Sequence, residues 1–224
     1  MTATPNATTA TATLTRIRLN RRSTTVRRDL ADATHLHKTV MRLAPDHLGD
    51  SPRHKAGLLF RLEPATDHTP PTLLIQSHHM PDLTRLPDTY GTAETRNLAP
   101  MFHALTPGQR VRYRITANAS ASRLAPEDRH PGSKKRGIVT PLHGEQALTW
   151  WHRRATAAGL TVLTADATPV RFPRQSNEPG PLHALTRFDG TATVSSPEEL
   201  SHAVLHGIGR GKPYGAGLLS LAPA

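Results

Sequence analysis

The 224-residue chain contains no cysteine. That excludes disulfides, thiolate metal sites and a cysteine nucleophile, and it suits a reducing cytoplasm. Aromatic residues make up only 4%, with no run of them to serve as a stacking platform for bases, so a nucleic-acid partner would be held by backbone shape and charge. No apolar stretch approaches the roughly 18 residues that span a bilayer. The opening MTATPNATTATAT lacks the charged and apolar regions of a signal peptide. The expectation is a soluble cytoplasmic protein without a membrane partner. Acidic residues are outnumbered 17 to 28 by Lys and Arg, for a net charge of +11, and that field favours a polyanion. Of the 28 cations 23 are arginine, whose forked guanidinium suits bidentate phosphate contacts, although a GC-rich genome yields the same bias.

Period-two alternation marks a first strand over 14–19, with Ile17 and Leu19 on the core face and Arg16 and Arg18 on the other. The segment 20–28 reads as a loop carrying Arg21, Arg22, Arg27 and Arg28. Asp29 or Asp32 then caps a helix over about 34–44, with Leu36, Val40 and Leu43 on one buried stripe. Strands over 57–62 and 72–77 follow. After a proline-containing stretch over 81–107, holding a short helix and one weak strand, the run 110–116 sets Val111, Tyr113 and Ile115 against Arg110, Arg112 and Arg114. A helix over 144–159, strands near 160–163 and 184–194, a helix over 197–206 and a strand over 217–221 complete the pattern. The fold class is therefore α+β, as two tandem ferredoxin-like (RRM-like) domains, each a β-α-β-β-α-β unit with an antiparallel sheet. The domains are placed at 13–95 and 96–224, behind a disordered extension over 1–12.

Among 14 histidines, position selects His37, at the edge of the buried helical stripe rather than within it. Thr34 shares its side of the helix, and Lys38 and Arg42 form an i, i+4 pair nearby. A histidine on a helix margin is, on residues alone, more often a satisfied surface group. His35 and His37 point about 200° apart on a helix, and His78 and His79 face opposite sides of a strand, so neither pair has metal-ligand spacing. The segment 207–217 has five glycines (Gly207, Gly209, Gly211, Gly215, Gly217) around Arg210 and Lys212. Such a backbone can approach a phosphate chain closely and offer it N–H groups, yet it fits neither nucleotide-binding glycine motif. The arginine face of 110–116, with Arg123, Arg129, Lys134, Lys135 and Arg136, fits an RNA groove or a solvated sheet face equally. Arg171 and Arg174 flank a turn shaped like a hairpin tip.

The segments Thr15–Asn20, Arg27–Ala31, Leu36–Arg42, Arg110–Asn118 and Gly207–Pro223, in that order, resemble the CasE family, the endoribonuclease subunit of the type I-E CRISPR Cascade complex. The resemblance implies tandem ferredoxin-like domains and metal-independent, cofactor-free cleavage of CRISPR precursor RNA at the base of the repeat hairpin. It also implies 2'-hydroxyl attack on the adjacent phosphate, and partnership with the guide RNA and other Cascade subunits. It places the family's acid/base histidine on His37 and, five positions later, its basic residue on Arg42 as the group that stabilises the phosphorane-like transition state. The glycine loop and the Arg171/Arg174 hairpin become RNA-binding elements, beside Arg16, Arg18, Arg27, Arg28, Lys38, Arg112 and Arg114. One position departs: where relatives often carry tyrosine, three residues before the histidine, this chain has Thr34, whose hydroxyl is less acidic and shorter in reach. A non-catalytic RNA-binding subunit and a generic double-stranded nucleic-acid binder are the competing readings.

Overall fold

The computed structural model describes residues 11–49, 52–124, 137–170 and 184–224. Strand β1 (Thr13–Leu19) leads into helices α1 (Thr24–Ala31) and α2 (Ala33–Met41), then a short α3 (Pro52–Lys55) and the strands β2 (Leu59–Glu63), β3 (Thr72–Ser77) and β4 (Gly91–Asn97). These four strands form an antiparallel sheet in the order β2-β3-β1-β4. Helix α4 (Ala99–His103) links to β5 (Arg110–Ala117) and the hairpin β6 (Ser120–Arg123) and β7 (Ile138–Pro141). The chain continues through α5 (Gly144–Ala157), β8 (Leu160–Val170), β9 (Leu185–Val194), α6 (Pro197–His206) and β10 (Leu219–Pro223). The second sheet runs β10-β5-β9-β8, again antiparallel.

Each sheet thus has the ferredoxin-like order, in which the first and third strands of a unit lie at the centre. The second unit is complete. In the first, the place of the second helix is taken by a single 3-10 turn, Leu83–Arg85, because three residues carry no apolar stripe to lay on a sheet. A second difference is α1, where the sequence reads as a basic loop. Val26 and Asp29 are buried on its inner face, and the Asp29 carboxylate accepts from the Tyr90 hydroxyl at 3.0 Å and pairs with Arg28 at 2.9 Å. The arginines on the outer face hide this apolar spacing in the sequence. Asp32, rather than Asp29, caps α2, its carboxylate accepting from the Thr34 N–H at 2.7 Å.

Two cores result. Leu36, Val40 and Leu43 pack with Ile17, Phe60, Leu73 and Ile75 under the first sheet, while Trp151 and Phe188 stack 5.6 Å apart in the second. Ala12 is 2% exposed and belongs to the second core, so the expected extension ends at least one residue earlier than 12.

The sheets meet through buried polar groups. Arg61 on β2 donates to the carbonyls of Leu218 at 2.9 Å and Arg114 at 3.1 Å and to Ser220 Oγ at 2.9 Å. Gln76 Nε2 donates to the Val204 carbonyl at 2.7 Å. The face of β2 and β3 turned away from the helices of the first unit is thereby docked against α6 and the start of β10.

Candidate functional site

His37 is half-buried near the middle of α2. Leu36 and Val40 bind that helix to the sheet, which turns the histidine toward the 3-10 helix Lys212–Tyr214 of the second unit. Burial holds the imidazole below its ordinary pKa, the Arg53 guanidinium pushes it further down, and hydrogen bonding at the Pro213 backbone opposes both. Its Nδ1 is buried and has no hydrogen-bond partner among the described residues. The side chain is therefore mostly neutral near pH 7, with a lone pair or proton to offer.

The glycine-rich segment begins at the end of α6. Gly207 takes φ +71, and a Cβ there would lie 2.8 Å from Leu59 Cδ2, so only glycine lets the chain turn this close to β2. The N–H groups of Ile208, Tyr214, Gly215, Ala216 and Gly217 are engaged by carbonyls of the protein itself. Gly209 and Gly211 share the left-handed backbone of the others. The expected array of N–H groups turned to a phosphate is thus largely replaced by internal bonds, since a buried N–H without a partner would be costly. Lys212 Nζ donates to the His206 carbonyl at 2.6 Å, and Arg210 bridges to Asn118. Lys212 thus fastens the loop to α6.

Arg53 on α3 is the residue that sequence reasoning missed. Burial lowers its basicity, and it lines a cavity of about 350 Å³ with Lys212, His54, His202 and His206. It acts on His37 and Lys212 alike. The segment joining α2 to β2 has no strong periodicity, so no signal in the sequence assigns Arg53 to the site.

The other expected residues divide. Lys38 is exposed beside His37, and Thr34 is half-buried one turn before it. Arg42 is exposed at the C-cap of α2, about 140° round the helix from His37. Arg27 and Arg28 are exposed on α1. Arg16, Arg18, Arg112 and Arg114 line a groove of about 970 Å³ between the two sheets, on the faces opposite the helices. Strand alternation puts them across the sheet from His37. Arg16 pairs there with Glu94 at 2.8 Å, while Arg114 pairs with Asp189 and Glu63. Arg171 and Arg174 lie outside the described residues, as do Arg129, Lys134, Lys135 and Arg136.

A family profile described as "CRISPR associated protein" matches residues 14–223. The chain is 33% identical over 223 residues to the CRISPR-associated endoribonuclease Cse3 of Thermus thermophilus, covering 94% of this chain and 99% of that one. A solved structure of CRISPR endoribonuclease Cse3 bound to 19 nt RNA superposes with a TM-score of 0.76 at 30% identity, over 95% of this chain and 100% of its counterpart. A chain of a CRISPR RNA-guided surveillance complex in a pre-nicking state is 38% identical, with a TM-score of 0.66 and the same coverages, 95% and 100%.

Proposed function

The chain belongs to the CasE family of CRISPR-associated proteins, for which Cse3 is another name, and from that membership we propose how its site cuts CRISPR repeat RNA. The protein is an endoribonuclease that processes precursor RNA and serves in the guide-RNA surveillance complex. The observation that carries the assignment of the site is His37, a half-buried, largely neutral imidazole whose Nδ1 is unpartnered among the described residues, facing the glycine loop at Pro213 and within reach of the Arg53 charge.

Strand scission by the adjacent 2'-hydroxyl needs a base to take its proton, an acid for the departing 5'-oxygen and positive charge for the pentavalent phosphate. His37 supplies proton transfer. Lys212 and Arg53 supply charge, and Lys38 and Arg42 hold the RNA on the open side of α2. Bond formation between O2' and phosphorus and loss of O5' leave a 2',3'-cyclic phosphate and a 5'-hydroxyl. No metal is needed for these steps, and the reaction takes place in the cytoplasm at the base of the repeat hairpin.

The test is cleavage of the cognate repeat RNA in EDTA. Single-site cutting by the wild type, its loss in His37→Ala with binding retained, and its loss with a deoxynucleotide at the cut support the assignment. Cutting that survives the deoxynucleotide overturns it. Thr34 favours a second reading, a subunit that binds the hairpin without cutting it, since α2 carries no tyrosine three residues before His37. Tight binding without cleavage by the wild type decides for that reading.

A further inference from the structure

We propose that the cavity between α3 and α6 is a second phosphate site, which holds the phosphodiester next to the one His37 acts on. This rests on reading the chain as an RNA-cutting protein. The cavity, about 350 Å³, is lined by Arg53, Lys212, His54, His202 and His206 over an apolar floor, and among the described residues no carboxylate lines it. Two permanent cations and three imidazoles converge there. Partly buried cations without a counter-charge are unfavourable unless an anion joins them, and the lowered basicity of Arg53, Lys212 and His206 records that cost.

The geometry suits an oxyanion. The His202 and His206 rings lie 4.4 Å apart, and His78 meets His206 edge-on at 5.9 Å with its buried Nε2 unpartnered. Gly57 makes room for this, since a Cβ there would lie 2.4 Å from the His78 ring. Lys212 uses one of its three donors on the His206 carbonyl and keeps two. A divalent cation does not fit. Among the described residues no group of three His, Asp or Glu is placed to hold one, and Arg53 and Lys212 would repel it.

The wall shared with the catalytic residue gives the register. Arg53 acts on both His37 and Lys212, and Pro213, which meets His37, directly follows Lys212. A strand laid past His37 therefore brings a neighbouring phosphate to the histidine pocket.

Affinity is measured on repeat RNA carrying a 2'-deoxynucleotide at the cut, with the linkages flanking it replaced singly by neutral methylphosphonates. Neutralising one flanking linkage is expected to weaken wild-type binding by about tenfold, the worth of one charge-assisted hydrogen bond. The same RNA should cost the variant Arg53→Gln/His206→Gln less than about twofold. If no flanking linkage is sensitive, or the sensitive one costs the variant as much as the wild type, the pocket is not a phosphate site. Cleavage of all-ribose repeat by the wild type is scored separately, so a failed ribonuclease reading is not mistaken for a failed pocket. Should the double variant not fold, wild-type histidine ring signals decide. Charged RNA shifts the His206 ring signals toward the protonated position at neutral pH while the methylphosphonate RNA does not; equal shifts overturn the proposal.

Discussion

Arg61 Nη1 donates to the carbonyl of Leu218 at 2.9 Å, with the arginine 3% exposed between the two sheets. Leu218 directly follows the glycine-rich segment, and Arg61 lies on the strand beside which Gly207 turns. This bond sets the distance between α2, which carries His37, and the loop that carries Lys212. The site is assembled where the two sheets meet, so its geometry depends on Arg61, which lies outside it.

Arg61→Met is accordingly expected to destabilise the protein by about 3 kcal/mol, because it strips the Leu218 and Arg114 carbonyls and Ser220 of their donor and leaves Glu63 with the longer contact to Arg114 at 3.5 Å in place of its close ion pair. Denaturant unfolding measures the loss. A change below about 1 kcal/mol would show that the sheets dock without this contact.

His37→Gln keeps a similar shape and removes proton transfer. Single-turnover cleavage is expected to fall by about 10²–10⁴-fold, with the affinity for uncleavable repeat RNA within about threefold of wild type. A comparable loss of affinity would make His37 a binding contact.

Activity should follow the neutral imidazole. Because burial and Arg53 hold His37 below its ordinary value, the rising limb of kcat/KM lies below pH 6.5, the unperturbed histidine value, with a plateau above it. Arg53→Gln removes one of the two downward pushes and moves the limb toward higher pH. A limb that stays in place in that variant would mean Arg53 does not act on His37.

The same histidines link stability to pH. His37, His78 and His206 are all lowered in the folded protein, with burial as the first cause. Below the unfolded value near 6.5 the unfolded chain binds protons that the native state refuses. Stability is full above that pH and is lost as pH falls toward the folded values. Tm should drop by a few degrees between neutral pH and mildly acidic buffer, and less so in His78→Gln.

Gly207→Ala tests the loop. Its φ of +71 and the 2.8 Å approach of the new Cβ to Leu59 predict a loss of about 1–3 kcal/mol and weaker RNA binding. Gly108→Ala, at φ +82 with nothing within 4 Å, carries only the backbone cost. If the two variants lose equal stability and affinity, the close packing of the loop on β2 is immaterial.

The sequence by itself determined the elements with a strong period. Ile17 and Leu19 against Arg16 and Arg18, and Val111, Tyr113 and Ile115 against Arg110, Arg112 and Arg114, read directly as strands with a buried and a basic face. Leu36, Val40 and Leu43 set α2 on the sheet, and with it His37 on the margin. α1 escaped notice because its outward arginines mask Val26 and Asp29.

Only the tertiary structure decided what those faces meet. A period of two says that Arg16 and Arg114 share a side of their strands, not that Glu94 and Asp189 await them there, across the sheet from His37. Arg53 and His206 are separated by more than half the chain, and their convergence on Lys212 follows from the docking of two sheets through Arg61 and Gln76. Local patterns encode which way a side chain points, whereas charge, desolvation and hydrogen bonding at a site depend on neighbours that only the packed chain brings near.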